Sequence, residues 1–226
     1  MKLVFASNNA HKLAEVRAMM PEGVEVLSLR ETGFEAEIEE TGATLEENSR
    51  IKASVVWEWI NGGNGAAALN GGLMIDGVFA DDTGLEIDAL HGEPGVYTAR
   101  WYRREPAQIL PKGKEPSDEM LIFQANRAKA LRELAGKSER GAQFRTVITL
   151  IMPSGASNQP SEIQVEGVVR GRIAEEEYGK GGFGYDPVFI PEGYDKTFGE
   201  LPAEIKNNIS HRARAIAELV KILRTA

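Results

Sequence analysis

Residues 78–88 read VFADDTGLEID, an apolar, strand-like run interrupted by two adjacent carboxylates, Asp81 and Asp82, with Thr83 and Gly84 behind them. Two chemistries account for such a pair. Asp, Thr and Gly end strands and close turns through side-chain to backbone hydrogen bonds, which needs no ligand. Alternatively, like charges this close call for an intervening cation, lysine or shared proton, and a hard divalent cation takes oxygen ligands of this kind. A second acidic stretch, EIEETGATLEENSRIKA (37–53), offers partners: Glu37, Glu39, Glu40, Glu46 and Glu47, followed by Asn48 and Lys52 four residues apart on one helical face. Thr44 and Glu47 fit the S/T-x-x-E capping box, so Glu47 is read first as a cap. Glu40 lies next to the Thr41-Gly42 turn, where no cap requires it, and is the better partner for Asp82 across a metal. Glu39 takes the same place after a one-residue slip.

Three other stretches carry chemistry, each with a plain alternative. In SNNAHK (7–12), Ser7, Asn8 and Asn9 stand where a strand gives way to a helix, so backbone N–H groups face an anion with Lys12 in the first turn. An Asn cap followed by a solvated lysine uses the same residues. No GxxxxGK[ST] phosphate loop occurs, and GKGGFG (179–184) lacks the Lys-Ser/Thr ending. GGFGYDPVF (181–189) suits a flat ligand stacked on Phe183 with backbone amides nearby, or equally a glycine-rich turn feeding the strand PVFI. At SHR (210–212), Ser210 is a helix cap, and His211 and Arg212 beside free helix N–H groups either read an acceptor-rich base edge or simply begin a surface helix.

These side chains need elements to hold them. KLVFAS (2–7) reads as a central strand and is followed by a helix carrying Leu13, Val16, Arg17 and Met20. Leu45, Ile51, Val55, Val56 and Trp59 form the stripe of a second helix from Thr44 to Trp59. A Gly/Asn/Ala loop covers 61–72, a strand pair is expected around VFADD and LEID, and a second long loop spans 102–117. A helix from about 118 to 135, strands at 144–152 and 161–173, and a last helix burying Ile216, Leu219, Val220 and Leu223 complete the chain. Without linker or repeat, 226 residues at 42% hydrophobic and 27% charged predict one α/β or α+β unit with a sizeable core. No run of about 18 apolar residues occurs and the start turns polar early, so a cytoplasmic protein is expected. Zero cysteines exclude disulfides, thiolate nucleophiles and sulfur-based zinc sites. A net charge of −8 argues against nonspecific binding to nucleic acid or anionic membranes. A small anionic ligand stays open if basic residues gather or a divalent cation helps.

Together SNNAHK, EETG with ENSRIKA, ADDTGL, PGVYTAR, GGFGYDP and NNISHRA, in this order and spacing, resemble the inosine triphosphate pyrophosphatase family. Its members are house-cleaning enzymes acting on non-standard purine nucleoside triphosphates. The resemblance runs from Lys2 to about Leu223 and implies an α/β fold: a mixed elongated twisted sheet with flanking helices, two lobes around a central cleft. It further implies a homodimer and dependence on Mg²⁺. Carried over by position, it puts Ser7, Asn8, Asn9, Lys12 and Lys52 around the triphosphate, Glu40 and Asp82 at Mg²⁺, and Asp82 also as the base on water. Thr83, Phe183, Gly184, Tyr185, Asp186, Lys206, His211 and Arg212 would surround the nucleoside, with Arg100 adding phosphate charge. His211 and Arg212 would donate to the 6-keto oxygen of hypoxanthine or xanthine, where adenine presents a donor. Thr83 departs from the usual serine, Ala10-His11 replaces a small residue and glycine, and the loops at 61–73 and 102–117 are longer than usual. A non-catalytic nucleotide sensor and a Maf-like pyrophosphatase are the competing readings, the sensor being disfavoured by retention of the carboxylates and lysines.

Overall fold

The computed structural model describes residues 1–62, 74–104, 119–154 and 159–224. In chain order the elements are β1 (Lys2–Phe5), α1 (Ala10–Met19), β2 (Glu25–Ser28), α2 (Leu29–Thr32), α3 (Leu45–Asn61), β3 (Gly77–Ile87) and β4 (Pro94–Gly95). A 3-10 segment at Thr98–Arg104 follows, then α4 (Glu119–Glu133), β5 (Gly141–Met152), β6 (Ser161–Ile173), β7 (Phe189–Pro191), α5 (Ala203–Ile209) and α6 (His211–Leu223). Among the described residues the strands form a seven-stranded sheet in the order β2-β1-β3-β5-β6-β7, with β4 paired to β3. β1 runs parallel to β2 and β3, while β4 on β3 and β7 on β6 are antiparallel, so the sheet is mixed, as expected.

The chain divides into two compact units, Met1–Asp82 with Thr146–Gly167 and His211–Ala226, and Thr83–Arg145 with Val168–Ser210. In the first unit the sheet is covered on both faces. Leu3, Phe5 and Phe79 pack with Val16, Ala215, Ile216 and Leu219 of α1 and α6, whereas Val4, Ala6, Val78 and Ala80 pack with Ala53 and Val56 of α3. Successive strand residues point to opposite faces, so a strand buried on both reads as an unbroken apolar run; KLVFA and GVFA therefore lack alternation. Gly167 of β6 lets α6 lie directly on the strand, since a Cβ there would overlap the His211 carbonyl oxygen and the Ala215 nitrogen. The second unit has its own core around Leu85, Ile87, Trp101, Leu134, Phe144, Phe189 and Phe198, with the Phe189 ring 4.7 Å from Phe144 and 5.5 Å from Phe198.

Several local expectations change. VFADD and LEID are one continuous strand, Gly77–Ile87, and not a strand pair, so Asp81 and Asp82 lie in mid-strand and the turn reading fails. Extended backbone is kept through DDTG because ion pairs, described below, satisfy the carboxylates that would otherwise bond back to a turn. In PVFI only Phe189 and Ile190 enter the strand, the preceding Asp186–Val188 being a 3-10 turn. Helix α3 continues to Asn61, and residues 102–104 belong to the 3-10 segment; the rest of the two expected loops, 63–73 and 105–118, lies outside the described residues. The short β2, α2, β4 and α5 were too brief to give a period.

Candidate active site

The two aspartates separate because they are consecutive in a strand. Asp81 faces α1 and α6. Its Oδ1 accepts from Lys12 Nζ at 3.0 Å, and its Oδ2 accepts from Arg212 Nε at 3.2 Å and Nη2 at 3.1 Å. Arg212 Nη1 donates to Glu15 of α1, closing a buried chain Lys12-Asp81-Arg212-Glu15. Burial pushes the Asp81 carboxyl up, but Lys12 and Arg212 outweigh it and hold the group well below the usual carboxylate range. Burial likewise lowers Lys12 despite Asp81, whereas for Arg212 the carboxylates of Asp81 and Glu15 overcome burial and raise it.

Asp82 faces α3, where two side chains one turn apart meet it. Lys52 Nζ donates to Oδ1 at 3.0 Å and Asn48 Nδ2 to Oδ2 at 3.3 Å. The same ammonium donates to Glu40 Oε1 at 2.9 Å, so Glu40 and Asp82 converge on one cation. Burial raises the Asp82 carboxyl above its ordinary value against the pull of Lys52. Lys52, itself lowered by burial, ends above its ordinary value because Asp82 and Glu40 both face it. Of the three glutamates left open by the sequence, Glu40 is the one sharing a partner with Asp82. Glu39 is exposed, and Glu47 Oε2 accepts from the Ala43 N–H at 2.6 Å. Thr44 Oγ1 accepts from the Glu47 N–H at 3.1 Å, so Glu47 does cap, but through residue 43 and not through the N–H of Thr44.

At the first strand-to-helix turn the capping reading holds for the asparagine and fails for the lysine. Asn9 caps α1, its Oδ1 accepting from the Lys12 N–H at 2.9 Å, and Ser7 Oγ accepts from the Asn9 N–H at 3.3 Å. Lys12 is not a solvated lysine, being drawn to Asp81. Asn8 is exposed. Ser210 is the C-cap of α5 and directly precedes α6, whose first residues, His211 and Arg212, are buried at 4% and 1% exposure. With Nε, Nη1 and Nη2 of Arg212 all on carboxylates, its guanidinium neutralises Asp81 and Glu15, a duty that base recognition had not anticipated.

The second unit builds a different cluster. Gly182 and Gly184 have φ of 70° and 60°, which glycine adopts at no steric cost, and they bend the chain around Phe183. Asp186 Oδ2 accepts from the Phe183 N–H at 2.7 Å and from Lys206 Nζ at 2.6 Å, while that ammonium lies 4.7 Å from the Phe183 ring centroid. The buried ion pair and the cation–π contact thus fix the ring. Tyr185 is buried, its hydroxyl donating to the Thr98 carbonyl at 3.2 Å, and burial pushes that hydroxyl's pKa up. Arg127 of α4 donates to the Gly184 carbonyl at 2.8 Å. The 3-10 segment carrying Arg100 is tied to α4 by Asn126, which accepts from the Tyr102 N–H at 2.8 Å and donates to the Ala99 carbonyl at 3.0 Å. Arg100 lies 5.5 Å over the Tyr97 ring, and Thr83 is half-buried beside Asp82.

Sequence reasoning missed Glu15 and Arg127. Glu15 carried one usable signal, its position three residues beyond Lys12 on the same helical face; Arg127 carried none. Among the described residues no three His, Cys, Asp or Glu side chains gather as a metal cage.

The sequence pattern of the Ham1 family matches residues 3–222. A dITP/XTP pyrophosphatase of Flavobacterium johnsoniae is 41% identical over 223 residues, covering 99% of this chain and 98% of that protein. The dITP/XTP pyrophosphatase of Bacillus subtilis is also 41% identical over 223 residues, covering 97% and 96%. Among solved structures, the Ham1 protein of Staphylococcus aureus is 36% identical with a TM-score of 0.73, over 100% of this chain and 99% of that one. A HAM1 protein from Coxiella burnetii is 34% identical with a TM-score of 0.74 and full coverage of both chains. Likeness over the whole length, in sequence and in fold, means that this chain belongs to the Ham1 family.

Proposed function

We propose that this protein hydrolyses non-standard purine nucleoside triphosphates, ITP, dITP and XTP, to the monophosphate and pyrophosphate. The observation that carries the reading is the convergence of Glu40 and Asp82 on one ammonium, 2.9 and 3.0 Å away, in a chain whose relatives are dITP/XTP pyrophosphatases. A cation already lies between these two carboxylates, so the donor set fits a small divalent ion. Mg²⁺ is commonly held by one or two carboxylates and completes its shell with water and phosphate oxygens, so two protein ligands without a third suffice. Glu40 and Asp82 would hold it. When bound, Mg²⁺ supplies charge neutralisation to a triphosphate and makes nearby water more acidic.

The chain's own residues do the rest. Asp82, buried and with a raised carboxyl pKa, orients a water and takes its proton as the water oxygen bonds to the α-phosphorus. The bond to the bridging oxygen breaks and pyrophosphate leaves, its charge offset by Lys12 and Lys52. Ser7, Asn8 and Asn9 offer backbone and side-chain groups to the phosphates, with Arg100 adding charge. Phe183 gives a flat face for the purine, and Gly184, Tyr185, Asp186, Lys206 and Thr83 surround the nucleoside. The start of α6 at His211 and Arg212 supplies donors toward a 6-keto oxygen, from the helix N–H groups where the guanidinium is engaged by carboxylates. The whole chain acts as one domain, as a cytoplasmic homodimer; among the described residues no helix is long and apolar enough to cross a membrane.

Pyrophosphate release measured on ITP, dITP, XTP, GTP and ATP, with and without Mg²⁺, tests the reading. Turnover of the first three should require the metal and exceed that of ATP by about 10² to 10⁴-fold, the range for a pocket that leaves mismatched donors unpaired. Binding without turnover would make the protein a sensor, and orthophosphate in place of pyrophosphate would move attack to the γ-phosphorus.

A further inference from the structure

Asn48 is fully buried, at 0% exposure, on the face of α3 that also carries Lys52. Its Oδ1 accepts from the Gly42 N–H at 2.8 Å, and its Nδ2 donates to Asp82 Oδ2 at 3.3 Å. The first bond decides the second: with the carbonyl end of the amide turned to an N–H donor, the NH₂ end must face the carboxylate. Gly42 fits closely against this amide, since a Cβ there would lie 2.6 Å from Asn48 Oδ1 and 2.7 Å from Glu47 Cβ. Lys52 makes the parallel contact one turn on, between Glu40 and Asp82. Helix α3 therefore joins the 40–42 segment to β3 by two rungs, one charged and one neutral.

The two rungs differ in what a divalent ion does to them. An ammonium competes with such an ion for the same carboxylate oxygens, whereas a neutral amide on Asp82 Oδ2 does not. We infer that Asn48 is a positioning residue that holds the Glu40 segment and Asp82 in register for a divalent cation, keeping that spacing when Lys52 gives up the carboxylates. The inference rests on the proposed reading of Glu40 and Asp82. It requires residue 48 to be neutral, to donate on one side and to accept on the other, which Asn alone does at this length. Outer partners of this kind commonly alter metal affinity by roughly 10 to 100-fold when removed.

Mn²⁺ alone, a hard ion suited to the same carboxylate oxygens, is the probe, titrated calorimetrically into the nucleotide-free protein. Asn48→Ala should weaken Mn²⁺ binding by roughly 10-fold or more and raise the half-activating Mg²⁺ concentration to match. Asn48→Asp is isosteric and keeps the Gly42 bond, but turns a third carboxylate toward the ion. It should tighten Mn²⁺ binding by roughly 10-fold through added ligand charge while kcat falls. Ser49→Ala is the structural control, removing a buried hydroxyl that bonds Thr149 at 2.6 Å, and should leave Mn²⁺ affinity unchanged. A merely structural Asn48 would lower stability in Asn48→Ala without shifting Mn²⁺ affinity, and that result overturns the inference. If Asn48→Ala does not fold, Asn48→Ser, polar but too short for both bonds, takes its place with the same expected weakening. Asp82→Asn separates the levels: weakened Mn²⁺ binding there beside unchanged Asn48 variants defeats only this inference, whereas unchanged binding in Asp82→Asn defeats the proposed metal carboxylates as well.

Discussion

Asp81 and Asp82 are neighbours in sequence yet meet different partners, because a strand turns consecutive side chains to opposite faces. Asp81 is saturated by Lys12 and Arg212 and is held ionised; Asp82 shares Lys52 with Glu40 and is raised by burial. The proposed proton-accepting role is therefore assigned to Asp82 and not to Asp81. Asp82→Asn keeps the shape and should leave the thermal midpoint near its original value, while kcat drops by about 10²-fold or more through loss of metal charge and base. Steady-state rates beside a melting curve check both halves. Glu47→Gln provides the contrast. The carboxylate bonds the Ala43 N–H, a task that an amide oxygen performs, so activity on ITP should stay close to that of the parent. A loss as deep as that of Asp82→Asn would assign the metal to Glu47.

Helix α6 packs its apolar face on the sheet and adds one buried ionic link to β3. Arg212 joins it to Asp81 of β3 and to Glu15 of α1, all three buried or nearly so. Removing one partner of a buried ion pair leaves uncompensated charge, so Arg212→Ala should cost about 3–5 kcal/mol of unfolding free energy in denaturant titration. Asp81 would lose its fixed geometry in that variant, so kcat/KM should fall by similar factors on ITP and ATP. A selective loss on ITP with stability intact would instead make the guanidinium a reader of the base. The placement of α6 depends on Gly167, where any side chain meets the helix backbone. Backbone yields less readily than a side-chain tip, so Gly167→Ala should destabilise by about 1–3 kcal/mol or more and lower kcat with it, seen as a reduced thermal midpoint.

At the scale of the molecule, the chain folds as two units whose polypeptide passes repeatedly from one to the other, since β3, β5 and β6 each contribute residues to both. Such strands cannot be excised without cutting the sheet, so the activity is proposed for the whole chain. Light scattering coupled to size exclusion should report twice the mass of one 24.7 kDa chain. Elution as a monomer with full activity would remove the homodimer from the proposal.

The sequence by itself determined what depends on residues close along the chain. The caps at Asn9 and Thr44 and the placing of Asn48 and Lys52 on one face of α3 act over a few residues, and each was legible, as was the order of the six motifs along the chain. Apolar runs without alternation marked β1 and the start of β3 as strands covered on both faces. The tertiary structure alone decided where the two aspartates point and which cations they meet. Lys12 reaches Asp81 across 69 residues, and Arg212 reaches Asp81 across 131 and Glu15 across 197. These pairings follow from which helix covers which face of β3. A one-residue shift in strand register would turn Asp81 and Asp82 each to the opposite face, away from these partners, and no local pattern records that register.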